Sequence, residues 1–319
     1  MTIYILRRML IAVPTLIGIS LVIFIIISLA PGDPFAELAL NPNVPPELQQ
    51  KLRDQLGIDD PIYVQYVRWA SQIARGNWGV SFVNKIPVWD LILDRLPTTI
   101  FVVGCAYIVA LLIALPIGII SAIKQYSWVD NVATTFAFLG YSLPTFFTGL
   151  LFILIFTVKL GWLPEIYTTN IQGSGFDWVV RMLKQSAMPI AVLALFQSAE
   201  LTRYVRSSVL DVIHLDYVRT ARAKGLTERA VTLRHAVRNA LIPVVTIMAL
   251  QIPVIFTGAL VTEQIFRIPG IGSLLINAIN SHDTPVLMGV VFTYSILVVM
   301  FTLLADVLYS VLDPRIKYG

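Results

Sequence analysis

Ionised residues along this chain gather into clusters, and the stretches between the clusters are long and apolar. Residues 9–32 run without a charge between Arg8 and Asp33, residues 96–123 between Arg95 and Lys124, and residues 131–158 between Asp130 and Lys159. Residues 239–262, between Arg238 and Glu263, and residues 284–305, between Asp283 and Asp306, repeat the pattern. A helix needs about 20 apolar residues to cross the hydrocarbon core of a bilayer, and each stretch is long enough. A shorter run, SAMPIAVLALFQSA, lies between Lys184 and Glu200. It spans only if its helix continues through Glu200 and Arg203, with those side chains facing protein or snorkelling. The pattern predicts an all-α integral membrane protein with six transmembrane helices.

Basic residues set the orientation, because loops rich in Lys and Arg stay cytoplasmic. Arg7 and Arg8 precede the first span. The segment from Arg203 to Arg238 holds Arg203, Arg206, Arg219, Arg222, Lys224, Arg229, Arg234 and Arg238 against only Asp211, Asp216 and Glu228. The tail carries Arg315 and Lys317, whereas the loop at 31–96 has more acids than bases. Six spans with both termini inside put every strongly basic segment in the cytoplasm; five do not. Ser28-Leu29-Ala30 resembles a signal-peptidase site, but the apolar core before it exceeds the 7–15 residues of a signal sequence, so the first span is expected to remain as an anchor. The chain divides into the N-terminus and first span (1–30), an extracytoplasmic loop domain (31–96), and a five-span core (97–319) with a cytoplasmic loop at 207–238.

Both long loops carry helix signals. PPELQQKLRDQLG opens on prolines and closes on Gly57, and Asp60 is placed to cap a second helix in which Ile62, Tyr66, Ala70 and Ile73 share a face before Gly76. An ordered loop of this length serves as a docking platform or lid, or else as a cap that only packs on the spans. In the cytoplasmic loop Asp216 is placed to cap YVRTARAK, Gly225 ends that helix, and Thr227 caps the next one. A short helix held between two spans suits a groove in a partner better than it suits catalysis.

Composition narrows the function further. Hydrophobic residues make up 57% of the 319 positions and charged residues 13%, about half the share in a soluble domain. The net charge of +4 sits at span ends, as topology requires, so no nucleic-acid partner is expected. Cys105 lies alone in an apolar run, and His214, His235 and His282 lack metal-ligand spacing, so no metal or cofactor is expected on this chain. It contains no G-x-x-x-x-G-K-[ST] loop to cradle a nucleotide. The span centres carry no charge of the kind that ion-coupled carriers place there, and no paired acids or activated serine for a membrane enzyme.

At DYVRTARAKG, residues 216–225, the chain resembles the cytoplasmic loop of ABC importer permeases, with Arg219, Thr220 and Ala221 at the E-A-A places of their E-A-A-x-x-x-G pattern and Gly225 at its glycine. It departs at the first two, and the family's I-x-L-P is replaced at 235–238 by His-Ala-Val-Arg, with a proline only at Pro243. RTARAKGL followed by LRHAVRNALIPVV is similar to the dipeptide and oligopeptide branch. So are LAPGDP, QLGIDDPIYVQYVRW, LGWLP, LTRYVRSSVLDV, FRIPGIGSLL and DVLYSVLDPRIKY, in order along nearly the whole chain. The resemblance implies the ABC importer permease fold and a non-catalytic subunit in the inner membrane. It implies a second, similar permease, two ATP-binding subunits that hold ATP and Mg, and an extracytoplasmic solute-binding protein. Asp216, Tyr217, Arg219, Thr220, Ala221, Arg222, Lys224 and Gly225 then form a coupling helix, with Tyr217 and Ala221 as its apolar contact. Peptides are the expected cargo. Glutathione, murein peptides and nickel chelates remain open, as does a secondary transporter.

Two further sites follow from the spans. Gly140, Pro144 and Gly149 interrupt the third, so a proline kink there places Tyr141, Pro144, Phe146 and Phe147 as candidates to line the path. Asp306 is expected to pair with Arg203 or Arg206, since a lone carboxylate at membrane depth is costly.

Overall fold

The computed structural model describes residues 2–29, 60–168 and 175–312, and the helix expected at 45–57 lies outside them. Among the described residues the chain is helical, with one isolated bridge, Val80 to Pro87, in place of strands. The elements are α1 (Thr2–Leu29), α2 (Ile62–Ala74), α3 (Val88–Ile123), α4 (Trp128–Ser142) and α5 (Thr145–Phe152), the last running on as a wider π-helical turn (Ile153–Lys159). Then come α6 (Phe176–Ile213), α7 (Asp216–Ala223), α8 (Glu228–Ala230) and a second π-helical turn (Val231–Val237) that feeds α9 (Arg238–Ile265), followed by α10 (Ile271–Asn280) and α11 (Thr284–Leu312).

Five of these helices are long and apolar enough to cross a membrane, and α4 with α5 makes the sixth as a broken pair. The fourth span is continuous through Glu200 and Arg203, as its short apolar run requires. The third is a break rather than the expected kink. Leu143 adopts extended angles (φ −84°, ψ 127°), the helix restarts after Pro144, and the two halves meet at 102°. Proline's ring disfavours helical angles at the residue before it, which explains where the helix stops. Another expectation is corrected at α2. Asp60 does not cap it; its carboxylate instead holds Arg68 at 2.6 Å, and Pro61 stands at the helix start.

The chain forms two compact units. One comprises Leu6–Pro97 and Ser273–Val299. Here α2 lies on α1 through aromatic rings: Phe24 meets Tyr66 at 5.5 Å and Trp69 at 5.7 Å, and Trp69 and Trp78 both reach Phe292. Ser20 and Tyr66 hydrogen-bond at 3.0 Å. The buried Asp283 carboxylate accepts from the Ser81 hydroxyl and from the amides of Phe82 and Val83, fixing the turn before α3.

The other unit comprises Met1–Ile5, Thr98–Gly272 and Met300–Gly319. Its centre is α6, which packs on α4, α5 and α9. Small residues bring the helices close, and a Cβ on Gly118 would lie 2.7 Å from that of Val205. Ala122, Val205, Val209, Ala240 and Val244 form the core beneath α3, α6 and α9. At the far end of α9 the buried Glu263 accepts from Thr99 Oγ1 at 2.6 Å, and that hydroxyl in turn accepts from the Ile271 amide at 2.9 Å.

Candidate functional site

The segment between α6 and α9 begins where α6 ends at Ile213. Leu215 turns extended (φ −69°, ψ 153°), and α7 starts at Asp216. Asp216 is thus the first helical residue and makes no side-chain cap, contrary to expectation; its carbonyl accepts from Thr220 Oγ1 at 2.8 Å. Its carboxylate still suits the positive helix N-terminus. Gly225 ends the helix in the left-handed region (φ 78°), which a residue without Cβ adopts at little cost. Thr227 does cap the next helix, accepting from the Ala230 amide at 3.4 Å. Arg222 reaches over the turn to Glu228 at 2.9 Å and ties α7 to α8.

One face of α7 is sealed against its own chain. Val218 and Ala221 are buried with Ile213, Val231 and Ala236. The expectation that Ala221 joins Tyr217 in contacting a partner is therefore corrected: Ala221 packs inward, because it lies three residues from Val218 on the inner face. The outer face presents Tyr217, Arg219, Thr220, Arg222 and Lys224. Leu215 and Leu226, which flank the helix, are also exposed, at 46% and 43%, as is Leu233 in the second π-helical turn, at 52%. Sequence reasoning missed these leucines. The available signal was their position, flanking the basic helix as apolar residues in an otherwise polar loop.

Upstream, α6 is clamped to α4 by an ion pair. Arg206 Nε and Nη2 donate to the two Asp130 oxygens at 2.8 and 2.9 Å. Asp130 is almost fully buried, and it also accepts from the Ser121 hydroxyl and the Tyr126 amide. Such bidentate geometry is the strong form of the Arg–carboxylate bond. Arg206 was an expected partner of Asp306; it is committed to Asp130 instead, whose carboxylate matches its fork. Arg203, the other expected partner, stands with its guanidinium carbon 5.1 Å from the centroid of the Tyr141 ring. That ring stacks on Phe196 at 5.8 Å and 15°. Of the other path candidates, Pro144 starts α5, and Phe146 and Phe147 in its first turn are exposed. The described residues contain no cluster of metal-binding side chains.

The arrangement is thus a short, outward-facing basic helix rooted between two spans. Residues 114–318 match the family described as "Binding-protein-dependent transport system inner membrane component", and residues 1–103 match the corresponding N-terminal family. The chain belongs to this family of permeases. The oligopeptide transport system permease protein AppB of Bacillus subtilis is 41% identical to this permease over 321 residues, covering 100% of each chain. The glutathione transport system permease protein GsiC of Escherichia coli K12 is 36% identical over 315 residues, 99% of each. Among solved structures, a chain of the inward-facing MetNI methionine ABC transporter matches with a TM-score of 0.56 at 15% identity. That match covers 70% of this permease and 96% of the other chain, and it supports the fold alone. This permease is a multi-pass inner-membrane subunit that works with other transporter subunits, and its relatives are themselves non-catalytic.

Proposed function

We propose that this permease forms half of the membrane path of an ATP-driven oligopeptide importer. The observation that carries the cargo is full-length similarity to an oligopeptide permease at 41% identity. In this reading a second permease completes the path, two ATP-binding subunits with ATP and Mg grip α7, and a solute-binding protein delivers peptide to the extracytoplasmic loop at 31–96. Both termini and the segment at 207–238 then lie in the cytoplasm. ATP-driven closure shifts α7, about 12 Å long at 1.5 Å per residue, and the clamp between α4 and α6 carries that shift into the third and fourth spans. Such two-state repacking of helices is the usual form of gating. Glutathione is the second reading, supported by the 36% identity to a glutathione permease.

The test is uptake by the reconstituted importer with its binding protein. Saturable, ATP-dependent uptake of trialanine that excess glutathione does not inhibit is the expected result. Uptake of glutathione with no uptake of trialanine would favour the second reading. Failure of any ATP-binding subunit to co-purify would overturn the importer assignment.

A further inference from the structure

Three ionisable side chains occupy neighbouring turns of α6, namely Glu200, Arg203 and Arg206, and they are treated differently. Arg206 is neutralised by the buried Asp130. Arg203, one turn earlier, is exposed, and among the described residues its contact is the Tyr141 ring rather than a carboxylate. Glu200 is half-buried and sits three residues before Arg203, so the two are neighbours on one face. No ion pair joins them among the described residues. Arg203 lies about 15 Å of helix above Ile213, at the inner end of the apolar run and beside the break at Pro144. A cation on a span that protein does not neutralise either snorkels to the interface or faces the bundle interior or a water-filled cavity, and the latter two positions mark substrate routes. The Tyr141 ring, itself stacked on Phe196, holds the guanidinium by cation–π attraction and leaves its N–H edges open.

We propose that Glu200 and Arg203 form a recognition site for the charged ends of a short zwitterionic peptide on its way through this permease. Arg203 takes the terminal carboxylate by a bidentate bond over the Tyr141 ring, and Glu200 takes the terminal ammonium. The ends of an extended dipeptide are at most about 7 Å apart. That matches the roughly 5–6 Å between side-chain roots one helical turn apart. Longer peptides engage one end at a time. The inference rests on the peptide reading of the cargo.

The test uses the whole importer in proteoliposomes, with its binding protein saturated in turn by dialanine, dialanine amide and N-acetyl-dialanine. The unmodified importer is expected to prefer dialanine over its amide by about tenfold, the worth of one charge-assisted hydrogen bond. Arg203→Gln should bring that preference close to unity through a raised KM for dialanine, while discrimination against the acetylated peptide survives. Glu200→Gln should do the reverse, and Arg203→Lys, which keeps the charge but not the bidentate fork, should retain only part of the preference. Equal losses for free and capped peptides would make Arg203 a structural residue only and overturn the assignment. So would variants that keep full discrimination, or tight binding of anionic lipid that is lost in Arg203→Gln with transport preferences unchanged. An unmodified importer that carries none of the three peptides would overturn the cargo reading as well.

Discussion

Arg206 supplies two donors to the Asp130 carboxylate, and the Ser121 hydroxyl and the Tyr126 amide complete its shell. With Asp130 buried and Arg206 only about a quarter exposed, losing one partner strands the other. Asp130→Asn should therefore destabilise the permease, though by less than the roughly 3–5 kcal/mol seen when fully buried pairs are broken. Replacing both residues with apolar ones, Asp130→Leu with Arg206→Met, should recover much of the loss. Thermal unfolding of the detergent-solubilised complex checks this; additive single effects in a double-mutant cycle would show that the pair is not coupled. The pairing was illegible in the sequence. Charges there mark where spans end, and nothing in hydropathy says which of several arginines a given acid meets 76 positions away. A similar surprise stands at Glu263, which reads as the outer flank of a span yet is buried against Thr99, Gly270 and Gly272. A Cβ at Gly272 would lie 2.6 Å from the Leu260 Cα, backbone that cannot swing aside. Gly272→Ala is accordingly expected to lower the yield of folded permease, whereas Gly104→Ala, where nothing lies within 4 Å, should not.

At the scale of elements, the two faces of α7 separate two kinds of damage under the proposed coupling role. Ala221→Trp forces an indole into the cluster of Ile213, Val218, Val231 and Ala236, so it should unseat α7 and abolish transport along with transport-stimulated ATP hydrolysis. Tyr217→Ala combined with Leu226→Ala trims only exposed surface. That variant should leave thermal stability unchanged while weakening retention of the ATP-binding subunits by tenfold or so, if the two side chains together carry about 1.4 kcal/mol of the contact. Full retention of those subunits on affinity purification would remove the outer face of α7 from the coupling role. The existence of α7 and its stop at Gly225 were legible, because a glycine stop acts locally, although the cap expected at Asp216 does not form. Which face turns inward was not, since Tyr217 with Ala221 and Val218 with Ala221 are both plausible stripes on eight residues. Only packing on α6 and the π-helical turn chooses between them. The third span shows the same limit. A proline at 144 announces an interruption, but not that the two halves meet at 102°.

For the whole molecule, the bilayer imposes a length on every span, and this is why six apolar segments could be counted from residues alone. Even the short fourth run was recoverable, because an odd count would have exposed a strongly basic segment on the wrong side. Orientation is a separate matter, and it makes its own prediction at the turn before α3. Asn84 is exposed there, next to Ser81, whose hydroxyl is held by Asp283. The backbone amide of residue 84 donates to that hydroxyl at 2.8 Å, a bond that survives a change of side chain. A cysteine put in by Asn84→Cys, with Cys105→Ser removing the single native thiol, should therefore keep the turn and report which side it faces. With the basic segments in the cytoplasm and this loop on the opposite side, a membrane-impermeant maleimide should label it in intact spheroplasts. Disruption of the membrane should raise that labelling little. Labelling confined to inverted vesicles would place the loop, and every segment assigned with it, on the other side of the membrane, and would remove α7 from reach of any cytoplasmic ATPase.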